Sequence, residues 1–174
     1  MQEIESLKVE IEPRLVSNDR HGERSYLPRS KKILPASPSR RLAPLNSNCV
    51  VCGRENANGL QLNFVAESKG VHATWIPKET WESFRGTVHG GIITAVLDEA
   101  MSKAIVARGW EAFTVELKVR FHLRVCPGER LHVEGWVREK RKRRILAEAS
   151  LAGPAGQERA HAWATFLVPP GERS

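Results

Sequence analysis

GTVHGGIITAVLDEAMSKAIVARG, residues Gly86 to Gly109, decides how the rest of the chain is read. It opens on a small-residue turn, Gly86-Thr87-Val88-His89-Gly90-Gly91, and continues as an almost wholly apolar run. Ile92, Ile93, Ala95, Val96, Leu97, Ala100, Met101, Ala104, Ile105 and Val106 cover nearly every face of a helix. Such a pattern predicts a buried helix from about His89 to Arg108, roughly 30 Å long. Gly109 is its natural stop. Within the run stands an acidic pair, Asp98-Glu99. Asp98 is one of two aspartates in the chain, the other being Asp19, and an acid inside an apolar helix needs a reason.

Outward from the helix the period changes to two. Upstream, Leu60, Leu62, Phe64 and Ala66 alternate with polar neighbours, and Val71, Ala73 and Trp75 do so after the turn at Lys69-Gly70. Downstream, Phe113, Val115, Leu117, Val119, Phe121, Leu123 and Val125 alternate without a break. Leu131–Val137, Ile145–Leu151 and Ala160–Val168 complete the set, with REKRKRR, Arg138–Arg144, as a charged hairpin tip. The order is two strands, one helix and four strands joined by short turns. It predicts an α+β fold in which a curled antiparallel sheet of about six strands wraps one long helix. Open edges of such a sheet invite a partner subunit.

The chain has 174 residues, enough for one domain with a real core. Residues 1–48 are punctuated by Pro13, Pro28, Pro35, Pro38 and Pro44 and are expected to form an extended or partly disordered leader. The folded domain is expected over 49–170. No apolar run approaches the ~20 residues of a membrane span, and the first residues lack an apolar signal core, so a cytoplasmic protein is expected. The net charge of +7 suits an anionic small ligand or a weak attraction to polyanions. Cys49, Cys52 and Cys126 are too few for a disulfide framework. Cys49-Val50-Val51-Cys52-Gly53 lacks a second spaced pair to complete four zinc ligands, so it reads as a structural turn, and no metal is expected.

His89-Gly90-Gly91, with Asp98 seven residues after the second glycine and the strand pattern around them, resembles the hotdog-fold acyl-CoA thioesterases of the PaaI-like group. The Cys49–Gly53 segment followed by Asn58-Gly59-Leu60-Gln61-Leu62, and Asp98-Glu99-Ala100 in the helix, add to the likeness, which covers about Cys49 to Pro169. The resemblance implies a thioester hydrolase without a cofactor, working as a homodimer or as a tetramer of two dimers. Each site would combine the glycine turn of one subunit with the helical acid of the other.

The chemistry of the residues fits that implication. Backbone N–H groups at a helix N-terminus have no intrahelical partners, and glycines allow close approach, so Gly90 and Gly91 suit a thioester oxygen gaining charge. The resemblance favours the Gly90 amide. Asp98 is the candidate base for water, or a nucleophile, with its pKa raised by burial; an internal ion pair is its bland alternative. Glu99 is expected to pair with a base and is the reserve candidate. His89 would shape the substrate pocket or simply bond to backbone. Ser83 stands where several members carry an asparagine, and a serine reaches less far. Lys140, Arg141, Lys142, Arg143 and Arg144 at the tip, with Arg120 and Arg124 on the long strand, are candidates for the coenzyme A phosphates, although a solvated charged turn is the default. No stacking aromatics accompany them, so nucleic acid is not expected. A non-catalytic acyl-CoA-binding module is the alternative function. A hotdog dehydratase would need a histidine–acid pair that is not evident.

Overall fold

Helix α1 spans Gly90–Val106, with His89 at its N-cap. In the computed structural model, which describes residues 40–43 and 46–170, it packs on one antiparallel sheet. The strands are β1 (Arg40–Arg41), β2 (Val65–Glu67), β3 (Gly70–Trp75), β6 (Phe113–Phe121), β7 (Leu131–Arg141), β8 (Arg144–Ala152) and β9 (Glu158–Leu167). They lie in the order β1-β2-β3-β7-β8-β9-β6. A separate two-stranded ribbon, β4 (Glu82–Phe84) with β5 (Thr87–Val88), leads into the helix. The layout is the expected hotdog: one long helix on a curled antiparallel sheet.

Small residues let the helix lie close. Ala73, Gly135, Ala147, Ala149, Ala160, Ala162 and Ala164 are buried on the inner face of the sheet. At Gly135 the approach is tightest: a Cβ there would lie 2.5 Å from the carbonyl carbon of Ala100. The other side of α1 faces the segment before β2. Leu42, Val51, Leu62 and Phe64 are buried with the helix in one core, and Lys103 Nζ donates to Ala43 O at 3.2 Å.

Four details depart from the sequence expectation. First, Leu60–Phe64 is not part of the hairpin: the Leu60 and Leu62 amides donate to Val50 O and Val51 O, which ties this stretch to the Cys49–Gly53 turn. Second, Arg40–Arg41 pairs with β2, so the sheet begins inside the expected leader; the leader's residues 1–39 lie outside the described residues. Third, the basic run is mostly strand. β7 continues to Arg141 and β8 resumes at Arg144, leaving Lys142 and Arg143 as the tip, with Lys142 at φ +51°.

The fourth departure shapes the site. β6 has a bulge: Thr114 pairs with Phe166 and Glu116 with Thr165, leaving Val115 as the extra residue. A one-residue insertion reverses which side chains face the core. Phe113 and Val115, expected inward, are therefore 61% and 56% exposed. β6 is also the outer strand of the sheet. Among the described residues no helix is long and apolar enough to cross a membrane.

The Gly135 contact is testable. Gly135→Ala forces the helix off the sheet, and overpacking of this kind costs about 1–3 kcal/mol. Urea denaturation should show a lower midpoint with an unchanged slope; a midpoint equal to that of the parent would contradict the close approach.

Candidate active site

Local bonding sorts the amides at the start of α1. His89 is extended, at φ −61° and ψ 131°, and its Nδ1 accepts the Gly91 N–H at 2.9 Å. The Ile92 and Ile93 amides donate to His89 O, at 3.0 and 3.2 Å. The His89 amide donates to Trp81 O at 2.8 Å. The Gly90 N–H has no acceptor among the described residues, and it points out of the positive end of the helix. The Gly91 N–H, offered by the sequence as a second donor, is occupied by the imidazole.

The space in front of Gly90 is shared with Phe121. Its ring carbon Cζ would lie 3.4 Å from a Cβ at that position. Beside the turn is a cleft lined by Thr80, Trp81, Glu82, His89, Gly91 and Ile92. Ser83 is exposed on β4 and is not part of that lining. Glu82, its neighbour, accepts the Gly86 N–H at 2.9 Å, which fixes the turn before β5.

Asp98 is eight residues further along α1, about 12 Å along the axis. Its Oδ1 accepts from Thr114 Oγ1 at 2.8 Å. Burial pushes the carboxyl above its usual range, the Thr114 hydrogen bond pulls it back, and the Glu99 charge raises it. Thr114 escapes a sequence reading because strict alternation puts it on the polar face of β6. The bulge at Val115 turns it toward the helix. The available signal was the acid itself, which needs a donor once buried.

Glu99 is aimed elsewhere. Its Oε1 lies 3.6 Å from Lys103 Nζ and its Oε2 3.9 Å from Cys49 Sγ. Cys52, alongside, has its thiol pushed up to about 12 by burial and then by the Glu99 carboxylate. Adjacent acids thus serve different surroundings.

The basic candidates divide between the two ends of β6. Arg144 and Phe113 both pair with Leu167, so the tip Lys140–Arg144 lies at the Thr114 end. There Arg141 pairs with Glu139, Arg143 Nε donates to Val168 O at 2.7 Å, and Lys140 Nζ lies 5.1 Å from the Trp110 ring centroid. Arg124 lies beyond the other end, its carbonyl accepting from Arg159. Arg120 pairs with His161, whose ring meets Trp136 and Trp163 on the sheet face away from α1.

Residues 85–152 match the family model of the thioesterase superfamily. Solved structures have the same fold. A thioesterase superfamily protein shares 24% identity at a TM-score of 0.66, over 68% of this chain and 62% of its own length. A Streptococcus mutans protein bound to acetyl-CoA shares 22% at 0.60, over 65% of this chain and 91% of its own. The Escherichia coli PaaI protein from the phenylacetic acid degradation operon shares 16% at 0.61, over 66% and 84%. The chain therefore spans less than two thirds of the first of these proteins. No curated protein matches the sequence. Residues 85–152 thus carry the thioesterase-superfamily match, and the fold built around them is the hotdog fold of these solved structures.

The bond from Gly91 fixes the tautomer of His89. With Nδ1 accepting, the neutral ring carries its proton on Nε2. Nitrogen-15 NMR of the ring should show Nδ1 as the unprotonated nitrogen; an Nδ1–H tautomer would contradict the cap.

Proposed function

We propose that this protein hydrolyses acyl-CoA thioesters at a site assembled from two copies of the chain. The observation that carries this reading is the placement of the two chemical groups on one edge strand. Thr114 near the start of β6 holds Asp98, and Phe121 at its end stands over Gly90. Within one chain the groups are about 12 Å apart along the helix axis, too far to act on one carbonyl and one water.

Antiparallel pairing of β6 with its copy removes the gap. A two-fold axis near Leu117 and Lys118 sets Thr114 opposite Phe121 of the partner subunit. Asp98 then faces Gly90 of the partner subunit, and two equivalent sites form. The same pairing covers an edge that is otherwise apolar: Phe113, Val115 and Phe121 are each more than half exposed. The Lys140–Arg144 tip flanks each site from the Thr114 end, and Arg124 of the partner subunit approaches from the other. Together they suit the phosphates of coenzyme A. The acetyl-CoA held by the Streptococcus mutans relative supports that ligand class, and a cytoplasmic location suits it.

The reaction follows from the groups. The Gly90 N–H donates to the thioester oxygen as it gains charge. Asp98 takes a proton from a water, which attacks the carbonyl carbon. As the intermediate collapses, the carbon–sulfur bond breaks and the leaving thiolate receives that proton, giving free acid and coenzyme A. Thr114 holds the carboxylate in place, and His89 shapes the cleft beside the turn.

Release of free coenzyme A from aryl-, short-, medium- and long-chain acyl-CoAs tests the proposal. Asp98→Asn should lower kcat/KM by about 10²–10⁴ on the preferred substrate. Thr114→Val should lower kcat by about tenfold, the loss of a hydrogen bond to a charged group being about 1.5 kcal/mol, with little change in KM. Equal turnover by the parent and Asp98→Asn would remove Asp98 from the chemistry, and no turnover by the parent on any of these substrates would leave a binding module without catalysis.

A further inference from the structure

The turn Cys49–Gly53 and the side chain of Glu99 meet at the start of the domain, apart from the Asp98–Thr114 pair. Cys49 Sγ, Cys52 Sγ and a Glu99 carboxylate oxygen lie within 4.8 Å of one another. Cys52 is buried, while Cys49 and Glu99 are half-buried. The carboxylate is divided between two neighbours. Oε1 faces Lys103 Nζ at 3.6 Å, and Oε2 faces Cys49 Sγ at 3.9 Å. Lys103 is only 2% exposed and is anchored on Ala43 O. Its ammonium therefore orients the carboxylate from behind and leaves one oxygen toward the thiols.

The turn holds its two sulfurs on one side. Val51 N–H donates to Cys49 Sγ at 3.4 Å, and Gly53 N–H to Cys49 O at 2.9 Å. A Cβ on Gly53 would come within 2.5 Å of Cys49 O and Ser47 O, so only glycine closes the turn.

We propose that Cys49, Cys52 and Glu99 bind one zinc ion, with water in the fourth position. Bonds of about 2.3 Å to sulfur and about 2.1 Å to oxygen give a tetrahedron with a sulfur–oxygen edge of about 3.6 Å and a sulfur–sulfur edge of about 3.8 Å. The Cys49–Glu99 separation of 3.9 Å is already near that edge. Separations of up to 4.8 Å elsewhere in the cluster close with side-chain shifts of about 1 Å. Binding forms two zinc–sulfur bonds and releases two thiol protons to solvent, with no electron transfer. The ion, two thiolates, the Glu99 carboxylate and the Lys103 ammonium then sum to zero charge, which a half-buried site tolerates. Sequence spacing did not reveal this set because the third donor comes from the middle of α1. The ion pins the covering segment to the helix one residue from Asp98, and the inference is independent of acyl-CoA hydrolysis.

Cobalt substitution tests the site on the full chain. Protein stripped with a chelator and kept reduced by a phosphine should bind one equivalent of Co(II), giving thiolate-to-cobalt absorption and tetrahedral ligand-field bands that Zn(II) abolishes. Cys49→Ser and Cys52→Ser should lose the thiolate band, while Cys126→Ser keeps it. Glu99→Gln, which retains an oxygen for Lys103, should weaken zinc by about tenfold or more in competition with a chromophoric chelator. Far-ultraviolet circular dichroism identifies variants that remain folded. No thiolate–cobalt band in the folded parent, or a band unchanged in folded Cys49→Ser and Cys52→Ser, would overturn the proposal.

Discussion

The contact of Ala100 with Gly135 governs the rest of the molecule. A helix can lie this close to a strand only where the strand offers no side chain. Around that point Ala147, Ala149, Ala162 and Ala164 keep the inner face shallow, and the sheet curls to cover the helix. Each helical residue turns about 100° from the last. Once Ala100 is set on β7, Glu99 and Asp98 are aimed at different neighbours. Glu99 meets Lys103 and Cys49, and Asp98 meets Thr114.

Two local devices act on that placement. His89 takes the second amide of the helix for its own ring and leaves the first, on Gly90, directed outward. The bulge in β6 withdraws Val115 from the pairing and supplies a hydroxyl to Asp98. Both act at the ends of a strand whose outer edge is apolar, which ties the proposed chemistry to the proposed assembly. A protomer alone would hold half of each site.

The architecture was legible because its signals are periodic. An apolar helix and six alternating stretches are enough to require a sheet around a helix, and the helix ends fall within two residues of those expected. What was not legible depends on interruptions of a period. Strict alternation places Thr114 on the polar face, because one extra residue cannot be seen in an unbroken alternation. The whole basic run Arg138–Arg144 reads as a hairpin tip because charge suggests a turn, whereas a two-residue tip at Lys142-Arg143 lets both strands run through it. Asp98 and the glycine turn stood out by residue type. The meeting of Glu99 with Cys49 did not, since 50 residues separate them.

Mixed dimers test the central claim that the site is shared. Gly90→Pro removes the outward amide at the first helical position, where proline is well tolerated, and Asp98→Asn removes the base. Each variant alone should keep about a hundredth of the parent's activity or less. Dimers carrying one copy of each, purified through two different tags, contain one site with both groups intact. They should recover about half of the parent's activity per dimer. Mixed dimers as inactive as either variant would contradict a site built across the two subunits.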